Sequence, residues 1–187
     1  MSSFFPSRNI VNAIKMDFPA GCTVELIKMD DPYRKMPTGL KGVVSCVDDT
    51  GTVHVNWENG STLGAVYGED QIRRVYKNTK IYYLYRDASN YKTQNQIIVS
   101  GTITDQQKAE ILSCCEGGDF IPEQIGWDLL RGWDVTEDDH PFAELDDDSF
   151  EPTDENVTSS MSVDDVVNVF RTCKGNWDAA KYSPVLD

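Results

Sequence analysis

From Asp134 to Glu155 the chain places eleven Asp or Glu residues in 22 positions and no Lys or Arg. A segment with that much uncompensated charge either stays solvated or is pinned to a domain by the apolar residues that interrupt it. The imbalance extends beyond the run. Residues 1–80 hold ten Lys or Arg against nine Asp or Glu, whereas residues 81–187 hold seven against twenty-two. A field of one sign on half a small protein repels nucleic acid and lipid headgroups. It steers the chain toward basic surfaces, above all those that proteins use to hold DNA or RNA.

With 187 residues, 40% of them apolar, the chain is long enough for one ordinary domain or two small ones. No stretch approaches the roughly 20 apolar residues of a membrane span. The start MSSFFPSRN lacks a cationic region followed by an apolar segment, so no signal peptide is expected and the cytoplasm of a bacterial host is the expected location. Five cysteines include the adjacent pair Cys114-Cys115 and no Cys-x-x-Cys spacing. That pattern fits reduced thiols acting as small apolar side chains better than a disulfide framework or a zinc site.

Ser7 is placed to cap a short helix carrying Ile10, Val11 and Ile14 on one face, stopped by Pro19. The period then changes to two, with Val24 and Leu26, Val43-Val44, and Val53, Val55 and Trp57 in runs bounded by turn residues. Asp48-Asp49-Thr50-Gly51 supplies one turn, and Asn59-Gly60 predicts a two-residue type I′ hairpin. About five short strands in roughly 55 residues predict a closed SH3-like barrel. Ile81–Tyr85 and Ile97–Val99 flank the polar loop 86–90 as a second hairpin. Thr104 with Gln107, and Ser162 with Asp165, form capping boxes for helices over 105–116 and from 163 to Gly175. Phe120-Ile121-Pro122 and 125–130 are apolar enough to dock on the first of these helices. The expectation is an α+β protein in three parts: a short helix and SH3-like barrel over 1–78, an acidic α+β module over 79–150, and a linker with helical appendage over 151–187.

The run Phe18–Pro32, then 39–42, Val47-Asp48-Asp49-Thr50-Gly51, Trp57–Leu63 and Tyr67-Gly68-Glu69-Asp70 resembles a small family, domain of unknown function 4314, over about residues 8–76. The resemblance implies a compact SH3-like β module found on phages, plasmids and conjugative elements of Gram-positive bacteria. Tyr33-Arg34-Lys35-Met36 departs from the family's usual proline-rich loop. The second half looks like another mobile-element module. Accessory proteins of such elements often counter host defence, and anti-CRISPR and anti-restriction proteins are frequently small and acidic.

Three chemistries compete for the acidic run. It can be a solvated linker. It can be a phosphate-imitating array held by Trp133, Val135, Phe142, Leu145 and Phe150, which would compete for an Arg/Lys groove. Or it can hold a metal through Asp138, Asp139, His140 and Glu144, although Asp146–Glu151 lacks the glycine of a calcium-binding loop. The loop 86–92 offers Arg86 and Lys92 as phosphate or partner contacts, or is simply a turn closed by Asp87 and Asn90. Arg73, Arg74, Lys77 and Lys80 beside Tyr76 form the other basic cluster. His54 sits as a surface strand residue, and two histidines with unpaired cysteines support neither Ser-His-Asp nor Cys-His catalysis.

These features predict a non-enzymatic inhibitor of a host nuclease, a CRISPR effector such as Cas9 or next a restriction enzyme, engaged at its basic nucleic-acid groove. The contact residues expected are Trp133, Asp134, Glu137, Asp138, Asp139, Phe142, Glu144, Asp146, Asp147, Asp148 and Glu151. No cofactor, metal or membrane contact is expected. The alternative is an RNA- or DNA-binding accessory module using Arg73, Arg74, Lys77, Arg86 and Lys92.

Overall fold

A computed structural model describes residues 6–184, so the start on which the absence of a leader was read lies partly outside the described residues. The chain forms two compact units, residues 1–76 and 77–187. Both are mixed α and β, built on antiparallel sheets.

The first unit opens with helix α1 (Arg8–Asp17), which buries Val11 and Ile14. Ser7 occupies the N-cap position without a side-chain cap hydrogen bond, contrary to the capping expected of it. Strands β1 (Thr23–Lys28), β2 (Lys41–Val47), β3 (Val53–Trp57) and β4 (Gln71–Val75) form an antiparallel sheet in the order β3-β2-β1-β4. Alternation sends Val24, Leu26, Val44, Val53, Val55 and Trp57 into one core with Met36 and Ala65. The turn after β3 differs from the expected type I′ hairpin. Gly60 takes a positive φ of 79° but Asn59 does not, and the following chain runs as a loop whose Ala65 bridges back to Val53. A type I′ turn needs positive φ at both central residues, and the loop's return to Val53 removes the need for it.

The second unit is organised around β5 (Asn78–Arg86), which pairs along its whole length with β6 (Lys92–Ser100). The hairpin expected here is present, and its turn is closed by Asp87 and Asn90, with Asn90 at a φ of 69°. Helix α2 (Asp105–Cys114) carries the predicted Thr104–Gln107 capping box, and α3 (Val163–Cys173) carries that of Ser162 and Asp165. Short strands β7 (Asp119–Phe120), β8 (Ala143–Glu144) and β9 (Phe150–Thr153) complete the sheet, with β8 and β9 both on the edge of β5 opposite β6. A last turn of helix, α4, spans Ala179–Tyr182. Period-two alternation on β5 turns Thr79, Ile81, Tyr83 and Tyr85 inward and leaves Tyr82, Leu84 and Arg86 half-buried on the outer face.

The segment 151–187, expected as a linker and appendage, is instead part of this unit. β9 pairs with β5, then Thr158 is bonded to both backbone groups of Ile98 on β6, so the chain grips the hairpin from both edges. Val163, Val166, Val167 and Phe170 of α3 enter the same core as Ile81, Phe120 and Trp127. The composition of 151–160 resembles a linker because most of its residues are exposed, while its backbone groups are what the sheet uses.

Candidate functional site: the acidic face of the second unit

The acidic run is ordered, and its carboxylates divide into two sets. The first set holds the segment to the hairpin. Asp139 is buried, with its side chain fully covered. One of its oxygens accepts the Tyr85 hydroxyl and lies 3.6 Å from Arg131 Nε, and the other accepts the Thr136 amide at 2.8 Å. Burial pushes the Asp139 carboxyl up, but the hydrogen bonds from Tyr85 and Thr136, with the Arg131 charge, outweigh it and hold the group below the ordinary carboxylate value. Arg131 in turn lies over the Tyr85 ring at 5.2 Å. Glu144 on β8 accepts Arg86 Nε at 2.8 Å, with a second contact from Nη2 at 3.3 Å. Glu151 accepts the Tyr82 hydroxyl at 2.9 Å, and Glu155 is paired with Lys80.

Asp139 is therefore corrected from a partner contact to an internal one, while Glu144, bonded to Arg86, keeps a half-exposed side chain. A fully covered carboxylate whose oxygens already accept internal donors cannot reach a partner's cation. Arg86 is engaged by the same pair, with its Nε and Nη2 turned to Glu144. Lys92 stays exposed, opposite Arg86 in the strand register.

The second set points outward. Asp134, Glu137, Asp146, Asp147 and Asp148 are all exposed, and Asp138 is half-buried with one oxygen accepting Ser89 Oγ at 2.6 Å. Asp146 caps a short 3-10 turn, Asp147–Ser149, by accepting Ser149 Oγ at 2.9 Å, which fixes three consecutive carboxylates on a turn that follows β8. Glu144, Asp146 and Asp148 line an open groove on the outer face of the sheet together with Tyr82, Leu84 and Gln94. Trp133 and Phe142 are half-buried; Trp133 packs on Tyr85 at 5.9 Å, and Phe142 lies 6.1 Å from His140. Among the described residues no group of three or more His, Cys, Asp or Glu converges as a metal site, and the Asp138, Asp139, His140 and Glu144 set is taken apart by Asp139 turning inward.

Two residues that position this face escape a reading by charge runs. Arg131 is the one Lys or Arg between Lys108 and Arg171, and a lone cation directly before an acidic run is the signal that it serves as an internal counter-charge. Asn95, buried on β6, bonds both the amide and the carbonyl of Leu130, at 2.8 and 3.0 Å, and so ties the chain entering the run to the hairpin. Gly132 holds a φ of 84°, which favours glycine, and an added Cβ would lie 3.1 Å from Thr93 Oγ1, so Thr93 would have to give way to a side chain there.

The first unit offers different chemistry, with a strand-borne pair of arginines and an Asp-centred turn between β2 and β3. Residues 7–75 match the family described as Domain of unknown function (DUF4314). The match ends one residue before the boundary of the first unit, and the acidic unit lies outside it. No curated protein and no solved structure matches the chain. Within the DUF4314 segment the candidate nucleic-acid residues are already engaged. Arg73 Nη2 donates to Glu25 Oε2 at 2.6 Å, and Arg74 donates to the Asp17 carbonyl at 3.2 Å while lying over the Tyr76 ring at 4.7 Å. Adjacent on one strand, the two point to opposite faces. Lys77 belongs to the second unit. The 33–36 segment is folded in part: Asp31 accepts the amides of Tyr33 and Arg34, Met36 is buried, and Tyr33 is 92% exposed.

Within the matched segment, the Asp48 carboxylate accepts four hydrogen bonds. It accepts the amides of Thr50 and Thr52 at 2.9 and 3.0 Å, the Thr50 hydroxyl, and His54 Nε2 at 3.0 Å. His54 is thus a turn-closing residue rather than a bare surface one. Burial works against the charge on Asp48, yet the bonds from Thr50, His54 and Thr52 hold its carboxyl far below the ordinary value. Replacing Asp48 by alanine should cost the first unit about 1–2 kcal/mol, since several bonds to one half-exposed carboxylate are lost. Urea denaturation of the variant, followed at Trp57, checks this.

Proposed function

We infer that this protein is a non-catalytic inhibitor, carried by a mobile genetic element, that blocks a host defence nuclease in the bacterial cytoplasm by occupying its basic nucleic-acid groove. A CRISPR effector such as Cas9 is the first target class and a restriction enzyme the second. The observation that carries this reading is the fixed turn Asp146-Asp147-Asp148, outward-facing and held by β8 and the Ser149 cap, in a unit whose nearby cations Arg86 and Lys80 are already neutralised. A disordered run would lose backbone conformational entropy on docking, whereas a run whose backbone is already ordered loses less. The first unit is read as an SH3-like β module, a reading supported by the β-bulges at Leu26/Lys28 and Val44/Cys46, which curl a small sheet. Direct nucleic-acid binding is the poorer reading, because Arg73, Arg74 and Arg86 are engaged within the protein.

The test is DNA cleavage by a Cas9–guide complex as the protein is titrated in, with gel filtration of the mixture. Co-elution and inhibition are expected. Changing Asp146, Asp147 and Asp148 to Asn should raise the inhibition constant about 10–100-fold at low salt, and wild-type potency should itself fall as salt rises. Unchanged potency of the triple variant would remove this turn as the contact.

A further inference from the structure

Apart from the groove that holds Asp146, a cavity of about 360 Å³ is lined by Asp87, Tyr91, Trp133, Thr136, Glu137 and Asp138. Its two rings lie 6.0 Å apart at 60°, so they form two walls rather than a stack. Tyr91 is 66% exposed. An aromatic left that open at a hairpin turn contributes little to the fold and is available to a ligand.

The cavity has a polar side as well. Asp87 Oδ1 accepts the Tyr91 amide at 2.8 Å, which fixes the ring-bearing residue, and Asp138 has committed one oxygen to Ser89. Glu137 makes no hydrogen bond or ion pair among the described residues. The site thus combines two aromatic walls with carboxylates, and no cation of the protein lines it.

A related combination occurs inside the second unit with a guanidinium in place. Arg131 lies over Tyr85 at 5.2 Å with its Nε 3.6 Å from Asp139, and Trp133 packs on the Tyr85 ring at 5.9 Å. Trp133 therefore joins two neighbouring arrangements of aromatic plus carboxylate. The inner one holds a guanidinium, and the outer one is open to solvent.

We propose that the Tyr91–Trp133 cavity binds the guanidinium of an arginine side chain on a partner protein, the ring faces taking the planar cation and Glu137 and Asp138 accepting its N–H groups. The proposal deepens the reading of the acidic face as a protein-binding surface and assigns that surface its apolar anchor. Arginine fits better than lysine because a guanidinium is planar, weakly hydrated and carries donors in its plane, so it can stack and donate at once. An ammonium keeps its water more strongly and has no flat face.

The full-length protein is titrated with acetyl-Gly-Arg-Gly-amide and with the lysine and citrulline analogues, and the tryptophan indole N–H signals are followed by NMR. The arginine peptide should shift the Trp133 signal saturably, at about millimolar affinity for a single anchor. Citrulline, of the same shape without charge, should leave it unmoved. Glu137→Gln and Tyr91→Ala, both at exposed positions, should each weaken the arginine peptide about 3–10-fold, and in Trp133→Ala, where the reporter indole is gone, the Tyr91 backbone amide signal should no longer shift. No saturable shift, equal binding of citrulline, or equal binding of lysine would each overturn the proposal. Nuclease inhibition by the same variants separates the two readings. A peptide that binds while no nuclease is inhibited retains the cavity and removes the inhibitor, whereas inhibition unaffected by Tyr91→Ala and Glu137→Gln removes the cavity alone.

Discussion

Replacing Asp139 by alanine is expected to destabilise the second unit by about 3–5 kcal/mol, the range seen when one partner of a buried ion pair is removed. The variant leaves the Arg131 guanidinium, whose side chain is only 10% exposed, without its counter-charge, and it leaves the Tyr85 hydroxyl and the Thr136 amide without their acceptor. Asp139→Asn keeps the shape and part of the bonding and should lose less. The pH dependence has a fixed sign. The folded Asp139 carboxyl lies below its ordinary value of 3.8, so its contribution is fully present above 3.8 and is lost as pH falls through the lower folded value. Asp119, raised by burial and by Glu144, works in the opposite sense, so the comparison to make is wild type against Asp139→Asn in acid denaturation. The wild-type loss of stability below 3.8 should be steeper than the variant's. Equal slopes would mean that the Asp139 carboxyl is not held below its ordinary value in the folded protein.

Phe170→Ala should cost a similar amount, about 3–5 kcal/mol. The Phe170 ring is fully buried and meets Phe120 at 5.3 Å, Trp177 at 5.8 Å and Trp127 at 6.0 Å. Because these contacts join α3 to the strands, the loss should be felt far along the chain. Amide hydrogen exchange at Ile81–Tyr85 is expected to accelerate in the variant. Exchange rates unchanged on β5 would show that the C-terminal helix is an appendage after all.

Phe170 also shows what could be read from the sequence. Its helix was legible, since the Ser162–Asp165 capping box and the Val163, Val166, Val167 and Phe170 stripe are local signals, and the same holds for α2 and for the β5–β6 hairpin. What that stripe packs against was not legible. β8 and β9 are two and four residues long, too short to show a period, and their pairing with β5 spans more than fifty residues. The acidic composition of those strands hid them further, because alternation between Ala143, Leu145 and the intervening Glu144 reads as part of a charge run. In the candidate site, the outward carboxylates were visible as charge, but the inward turn of Asp139 depends on Arg131 and Tyr85, and only the fold brings those together. Tyr91 appeared as one aromatic in a polar loop, and its cavity exists only because the chain after Gly132 passes beside that loop.

The placement of β9 also bears on how the protein is made. One edge of β5 is matched by β6 within a few residues, but the other is matched only when Phe150 reaches Ile81 and Thr153 reaches Asn78. At about 5–20 residues per second, on the order of 4–14 s of translation separate the emergence of β5 from that of β9. Throughout that interval the nascent chain carries an unpaired strand edge of alternating tyrosines and aliphatics, a template for aggregation. The carboxylates that flank β8 and β9 arrive on the ribosome just before the pairing segments, so the chain that seals the edge is delivered in a form that repels other copies of itself. Charge used at the surface of the finished protein thereby also guards its synthesis.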